Sequence, residues 1–265
     1  MTTSANATSA LRKPHEFATT GPIAATVEVA GAQVRVTASD RTDTVVRVEP
    51  IDEANRSDVK VADRTKVQFA GGRLSVKTTV SGSKNGSVAI TIDLPTGSSL
   101  AAYLAYSAVH ADGSFGECEL HMASGRAQLD RIDALRASIA SGEVAISHIA
   151  GSASIDGGAI AVRIGEVDGT VGLSTSGGQV WIGHASADLD LTSSSCDFDI
   201  DRADGNVTAT TGGGAVRIGR MTHGQAKLIN GSGNIEVGVS EGTAASIDVK
   251  SDRGAVHNFV SQGDA

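Results

Sequence analysis

Six aspartates, Asp188, Asp190, Asp197, Asp199, Asp201 and Asp204, crowd into 17 residues and are the densest charge feature of the chain. Their period-2 spacing turns Asp197, Asp199 and Asp201 to the solvent side of one strand, where neighbouring carboxylates could hold a divalent cation through oxygen ligands. Calcium-binding solenoids repeat a G-G-x-G-x-D motif, and this acidic run occurs once. The favoured reading is therefore a solvated face, its repulsion offset by Arg163, Arg202 and Arg217, with partner contact second and no metal or cofactor assigned. The single tryptophan, Trp181, lies at outward parity between inward Val180 and Ile182. In a coil stack its neighbours would be Arg163 or Ala161 on one side and Asp199 on the other. It then either anchors an interface or stacks on an arginine as a cation–π pair. The binding candidates are Trp181, Asp197, Asp199 and Arg217.

Other chemistries find weaker support. The histidines, His15, His110, His121, His148, His184, His223 and His257, never pair at i, i+2 or i, i+4, so they read as isolated surface residues rather than metal ligands. Cys118 has inward parity and reads as a small core residue. Cys196 stands where a turn glycine would, and greater exposure is expected of it. Neither has a local histidine to make it a nucleophile, and both are expected to be free thiols. Gly212-Gly213-Gly214 has no Lys-Ser/Thr after it and opens no helix, which removes the phosphate-loop reading. A glycosidase needs two carboxyls facing each other across a sugar. Short connections leave little to build such a cleft, and 8 aromatics in 265 residues offer few sugar platforms, so carbohydrate is disfavoured as substrate or partner.

The elements that must carry these residues can be read from composition and period. A net charge of −8 and a pI near 5.3 give no footprint for a nucleic-acid backbone, and no apolar run is long enough to span a bilayer. Residues 1–19 read as a polar leader without a secretory apolar stretch, so the expected compartment is the cytoplasm. From Pro22 onward the pattern is alternation: Val27/Val29, Val34/Val36, Val46/Val48, Val59/Val61, Val67/Phe69, Leu74/Val76 and Val88 to Leu94 each read as half-buried strands. Residues 20–106 form an irregular all-β N-terminal region, continuous with a repetitive region that begins at residue 107.

Residues 107–260 carry internal repeats, and 261–265 form a tail. Eight segments align without gaps: 118–125, 135–142, 151–158, 171–178, 189–196, 207–214, 226–233 and 247–254, their ends 16 to 21 residues apart. Most end in glycine, and most are followed by a second alternating strand such as QVWIG or AVRIG. A unit of strand, tight turn, strand and turn cannot bury its own apolar side, whereas stacking buries it. The fold expected is an all-β, β-helix-like β-solenoid wound from a single chain, of about eight coils of about 18 residues. Val180, Ile182, Phe198, Ile200, Val216, Ile218, Ile235 and Val237 form its inward columns, and Ala127, Ala145, Ala153 and Ala209 imply a narrow interior. The last unit, Ile247 to Val260, has only SQGDA after it to cover its edge.

With RVTASDRTDTVVRVEP (35–50), GGRLSV (71–76), GSVAITIDLPTGSSL (86–100) and the repeats ASGEVAI, SGGQVWIGH and TGGGAVRIG in view, the chain resembles a bacterial β-strand-repeat family of unknown function often labelled "putative adhesin". The resemblance runs over about residues 17–260. It implies a β-solenoid or β-helix-like fold and carries over no catalytic residues. Members often place Asp after the turn glycine, where this chain has Arg126, Glu143, Ala159, Gln179, Asp197, Ala215, Asn234 and Ala255. The function expected is a non-enzymatic structural or interaction module presenting solenoid faces to a protein partner. Self-assembly through coil ends ranks second, and a carbohydrate-active enzyme third.

Overall fold

A computed structural model describes residues 12–78, 86–240 and 245–253. Most of the expected leader, the end of the last repeat and the tail lie outside the described residues. Within them the chain is a β-solenoid whose coils stack in parallel. Leu135, Ala153, Val171, Leu189, Val207, Ala226 and Ile247 stand in one column, six turns from first to last. A second column on the other side of each coil runs Val144, Val162, Val180, Phe198, Val216 and Ile235. The strands are β8 (Ser99–Ile149), which winds through more than two coils, then β9 (Ala153–Val167), β10 (Val171–Ala185) and β11 (Leu189–Ala203). In the upper coils the two sides separate into β12 (Val207–Thr211) with β13 (Val216–Met221), β14 (Gly224–Asn230) with β15 (Ile235–Val239), and β16 (Ala245–Ser251).

Period-2 alternation supplies the core. Val180, Ile182, Phe198, Ile200, Val216, Ile218 and Ile235 are buried, and Val237 packs against them half-buried. Each large aliphatic so enclosed contributes roughly 1.5–3 kcal/mol relative to exposure, and most of that enclosure comes from the coils above and below. Ala127, Ala153 and Ala209 are buried as expected. Ala145 is not: it pairs with Arg163 on the outward face, because only Val144 and Ile146 of its strand have inward parity.

The bend between the two sides is built twice over. Beneath it, Thr175, Ser193, Thr211 and Asn230 form a buried polar column, and each side chain binds backbone two residues ahead. Thr175 and Thr211 donate to the carbonyls of Gly177 (3.0 Å) and Gly213 (2.6 Å), whereas Ser193 and Asn230 accept from the N–H groups of Ser195 (3.1 Å) and Ser232 (2.9 Å). At the bend itself, Gly178 has φ +120°, and a Cβ there would lie 1.9 Å from the Ile160 carbonyl oxygen of the coil below. From Gly142 to Gly214 this position alternates Gly142, Ile160, Gly178, Cys196, Gly214.

That column corrects one repeat. Ala153, not Gly151, is level with Val171, so the third segment is 153–160 and ends on Ile160; Ala161 rather than Ala159 follows its bend. The glycines at 157 and 158 draw a sequence alignment two residues out of register. The physical exchange is reciprocal: a Cβ on Gly157 would sit 2.5 Å from Ile160 Cδ1, so Ile160 fills the space that Gly157 leaves.

The N-terminal region continues the stack. Strands β2 (Ala24–Ala30) and β3 (Ala32–Ser39) lie parallel beneath the first coil of β8. Beneath them lie β6 (Arg73–Lys77) and β7 (Val88–Pro95). Antiparallel strands then end the stack: β4 (Asp43–Pro50) on β7, β1 (His15–Ala18) on β4, and β5 (Lys66–Ala70) on β6. Residues 15–18, assigned to the leader, are thus paired in a sheet. Phe17 of β1 and Phe69 of β5 stack with centroids 5.0 Å apart, joining the two outermost strands across the base of the core.

Val59 and Val61, read as a strand, lie instead in α1 (Arg56–Arg64). The competing signal is helical: the Asn55 side chain accepts the Ser57 N–H as an N-cap, and the buried residues are Asp58, Val61 and Ala62, at i, i+3 and i+4. Asp58 pins the helix by accepting the N–H groups of Ser87 (2.7 Å) and Asp52 (3.1 Å). No helix among the described residues is long and apolar enough to cross a membrane.

Candidate functional site

One outward column carries most of the sequence candidates. Level by level it runs Ala145, Arg163, Trp181, Asp199, Arg217 and Glu236, so Trp181 sits between Arg163 and Asp199. The Arg163 guanidinium lies 4.7 Å from the indole centroid, and Trp181 is half-buried. Its ring extends along the strand toward Gly183, where a Cβ would come within 3.0 Å of the ring and 2.5 Å of the Gly165 carbonyl. Arg163 is therefore engaged with the tryptophan rather than offsetting the aspartates.

The aspartates are compensated in other ways. Arg217 Nη1 donates to Asp199 (2.7 Å) and reaches Asp201 (3.5 Å), and the Asp199 hydrogen bond raises the Arg217 pKa. Asp197 accepts the Ala215 N–H at 2.8 Å and so fastens the next coil's bend. Asp188 accepts from the backbone and side chain of Asn206, which lowers its pKa. Asp204 accepts two bonds of 2.8 Å from Arg202, one from Thr222 (2.6 Å) and one from His184 (2.8 Å). These hold it well below the usual carboxylate range, Arg202 first. Asp190 is the exposed member without such a partner among the described residues. Among those residues, too, no three His, Cys, Asp or Glu side chains gather as a metal site.

Beside Trp181 the face dips into a shallow depression of about 370 Å³. Small residues, Ala145, Ser147 and Gly165, make its floor, with Arg163 and Trp181 at one end and His110, Asp112, Gln128 and Asp130 at the other. His110 is held by Gln128 (2.9 Å) and Asp112 (2.7 Å). Sequence reading missed this wall, although counting back from Trp181 in steps of 17 to 18 residues reaches Arg163, Ala145, Gln128 and His110 in turn. The histidines are also less isolated than expected. His110, His121, His148 and His184 each have a carboxylate partner, Asp112, Glu119, Asp168 and Asp204.

The thiols are withdrawn from chemistry. Cys118 is buried, and burial pushes its pKa up to about 12. Cys196, expected to be more exposed, is 1% exposed at the bend, level with Gly178 of the coil below, and burial raises its pKa to about 11.

Solved structures similar to this chain are known. A crystal structure from Parabacteroides distasonis named a "putative adhesin" is 13% identical, with 91% of this chain and 94% of that one covered and a TM-score of 0.50. A "putative lipid binding protein" from the same species is 15% identical over 92% and 96% of the two chains, with a TM-score of 0.42. A "putative cell adhesion protein" from Clostridium sporogenes is 10% identical over 85% and 99%, with a TM-score of 0.30. At 13% identity the first likeness concerns the fold alone. No curated protein matches the sequence. The model of one family of unknown function, Toastrack DUF4097, matches residues 25–264, a range that begins within β2, and the chain belongs to that family.

Proposed function

We propose that the protein is a non-enzymatic interaction module whose Trp181 face engages a protein partner. The observation that carries this reading is the placement of the only tryptophan, half-exposed and oriented by Arg163, on a rigid flat ladder beside a shallow depression. Tryptophan and arginine are the residue types that dominate interface energetics, and a preset side chain loses little entropy on binding. Asp199 and Arg217, paired at 2.7 Å, form a polar rim on the adjoining coils. Both thiols are buried with raised pKa values, which supports a binding role over thiol catalysis.

The test compares partner recovery by the wild-type chain with that by Trp181→Ala and Asp199→Lys. Loss of the same partner with both variants, their coils intact by circular dichroism, supports the reading; recovery unchanged by either sinks it. Polymerisation through coil ends is the second reading, and the base of the stack does not favour it. The outermost strands there among the described residues, β1 and β5, have only four and five residues, and β5 begins with Lys66, features that blunt an edge. A mass that rises with concentration in light scattering would restore it.

A further inference from the structure

We infer that the bend carrying Tyr106 is a binding site for a neutral saccharide, separate from the Trp181 face. Tyr106 is the one non-glycine residue with positive φ among the described residues, at +51°, and it is 82% exposed. A bulky residue in the left-handed region is strained, and the Tyr106 side chain does not repay it among the described residues: its ring packs on no core and its hydroxyl has no hydrogen-bond partner there. Nor does the bend need a tyrosine. The residues at the same place in the next coils, Ser124, Ser141, Ala159, Gly177 and Ser195, are all small. The bend is anchored by the next residue, Ser107, whose buried hydroxyl accepts the Ala32 N–H (3.1 Å) and donates to the Ala105 carbonyl (2.9 Å). An aromatic ring is thus held into solvent at a cost to the fold.

The ring borders a recess of about 580 Å³ that also has Ile51, Gln33, Arg126 and Glu143 on its walls and Gly125 on its floor. Among the described residues its only charged side chains, Arg126 and Glu143, are paired with each other at 2.9 Å, so together they offer no net charge to a phosphate, an acidic peptide or a nucleic acid. What remains is an aromatic ring and an exposed aliphatic side chain for the C–H face of a pyranose, with planar amide, guanidinium and carboxylate groups for its hydroxyls. A recess of this volume lies in the range of small-ligand pockets. The apolar surface from Tyr106 and Ile51 falls far short of the ~800 Å² per partner of a stable protein interface. Scarcity of aromatics weighs against carbohydrate only where the few present are buried, and both tyrosines of the chain, Tyr103 and Tyr106, are exposed.

The experiment is calorimetric titration with neutral hexasaccharides of glucose, xylose and N-acetylglucosamine, and with hexagalacturonate as the charged comparator. Wild type should bind at least one neutral sugar, with an affinity that does not change between about 50 and 500 mM NaCl. Tyr106→Asn, which tolerates the left-handed backbone, should lose about tenfold or more in affinity while its melting temperature stays level or rises. Trp181→Ala should bind the sugar like wild type, which separates this site from the proposed protein-binding face. Binding of none of the neutral sugars, preference for hexagalacturonate, full affinity in Tyr106→Asn or a fall in its melting temperature would each overturn the inference.

Discussion

Replacing Gly178 by alanine tests the construction of the bend. Two costs add. The backbone there, at φ +120°, is one that L-residues rarely adopt, at roughly 1–3 kcal/mol. The new Cβ would also lie 1.9 Å from the Ile160 carbonyl oxygen and 2.8 Å from its carbon. The obstacle is backbone, so the two coils must part by about an ångström, adding roughly 1–3 kcal/mol as overpacking does elsewhere. The expected destabilisation is about 2–6 kcal/mol. Gly172→Ala is the control, since a Cβ there meets nothing within 4 Å and its effect should stay within about 0.5 kcal/mol or be stabilising. Urea midpoints measure both, and hydrogen exchange locates the damage, because stability in a stacked array is largely a matter between neighbours. Equal midpoints for the two variants would refute this construction of the bend.

Three further outcomes are expected. With the thiol pKa of Cys118 at about 12 and that of Cys196 at about 11, neither should react with an aromatic disulfide reagent at pH 8 until urea is added; rapid labelling of Cys196 in the folded chain would contradict its inward placement. Asp204 has its folded pKa depressed below the unfolded value of about 3.9, so its stabilising effect is present above that pH and lost as pH falls through the range below about 4. Asp204→Asn should therefore cost stability at pH 7 and progressively less as pH falls below about 4, and a pH-independent cost would count against the Arg202 pairing. Asn55→Ala should destabilise by about 0.5–2 kcal/mol through lost capping of α1, seen as faster exchange of the Ser57 amide and not of the β10 amides.

Much of this molecule could be read from its residues because the solenoid uses two simple periods. Alternation at Val180, Ile182, Phe198 and Ile200 marked the inward face, and the repeat step put Trp181 beside Asp199 and beside either Arg163 or Ala161, of which the register selects Arg163. The failures have local causes. Val59 and Val61 satisfy period 2 by accident while Asn55, Asp58 and Ala62 specify a helix. At Gly157 the missing side chain and the intruding Ile160 exchange roles, so the most glycine-like string marks the wrong level. The ion pairs of the acidic run depend on which side chains meet across coils: Arg202 and Arg217 take on compensation, and Arg163 does not. Tyr106 is the deepest case, since a strained φ leaves no mark in the residue type.

The alternation Gly142, Ile160, Gly178, Cys196, Gly214 along one bend has a meaning beyond local fit. Near-identical storeys invite a chain to misthread, because a coil left out would still bury its aliphatic rows. Omitting the storey of Gly178 would set Ile160 directly beneath Cys196, two side chains competing inward where one carbonyl now rests against a bare Cα. It would also part Arg163 from Trp181. Mismatch of this kind selects one winding over its neighbours in register. The bend therefore tells odd storeys from even ones, and it penalises a winding that skips a single coil.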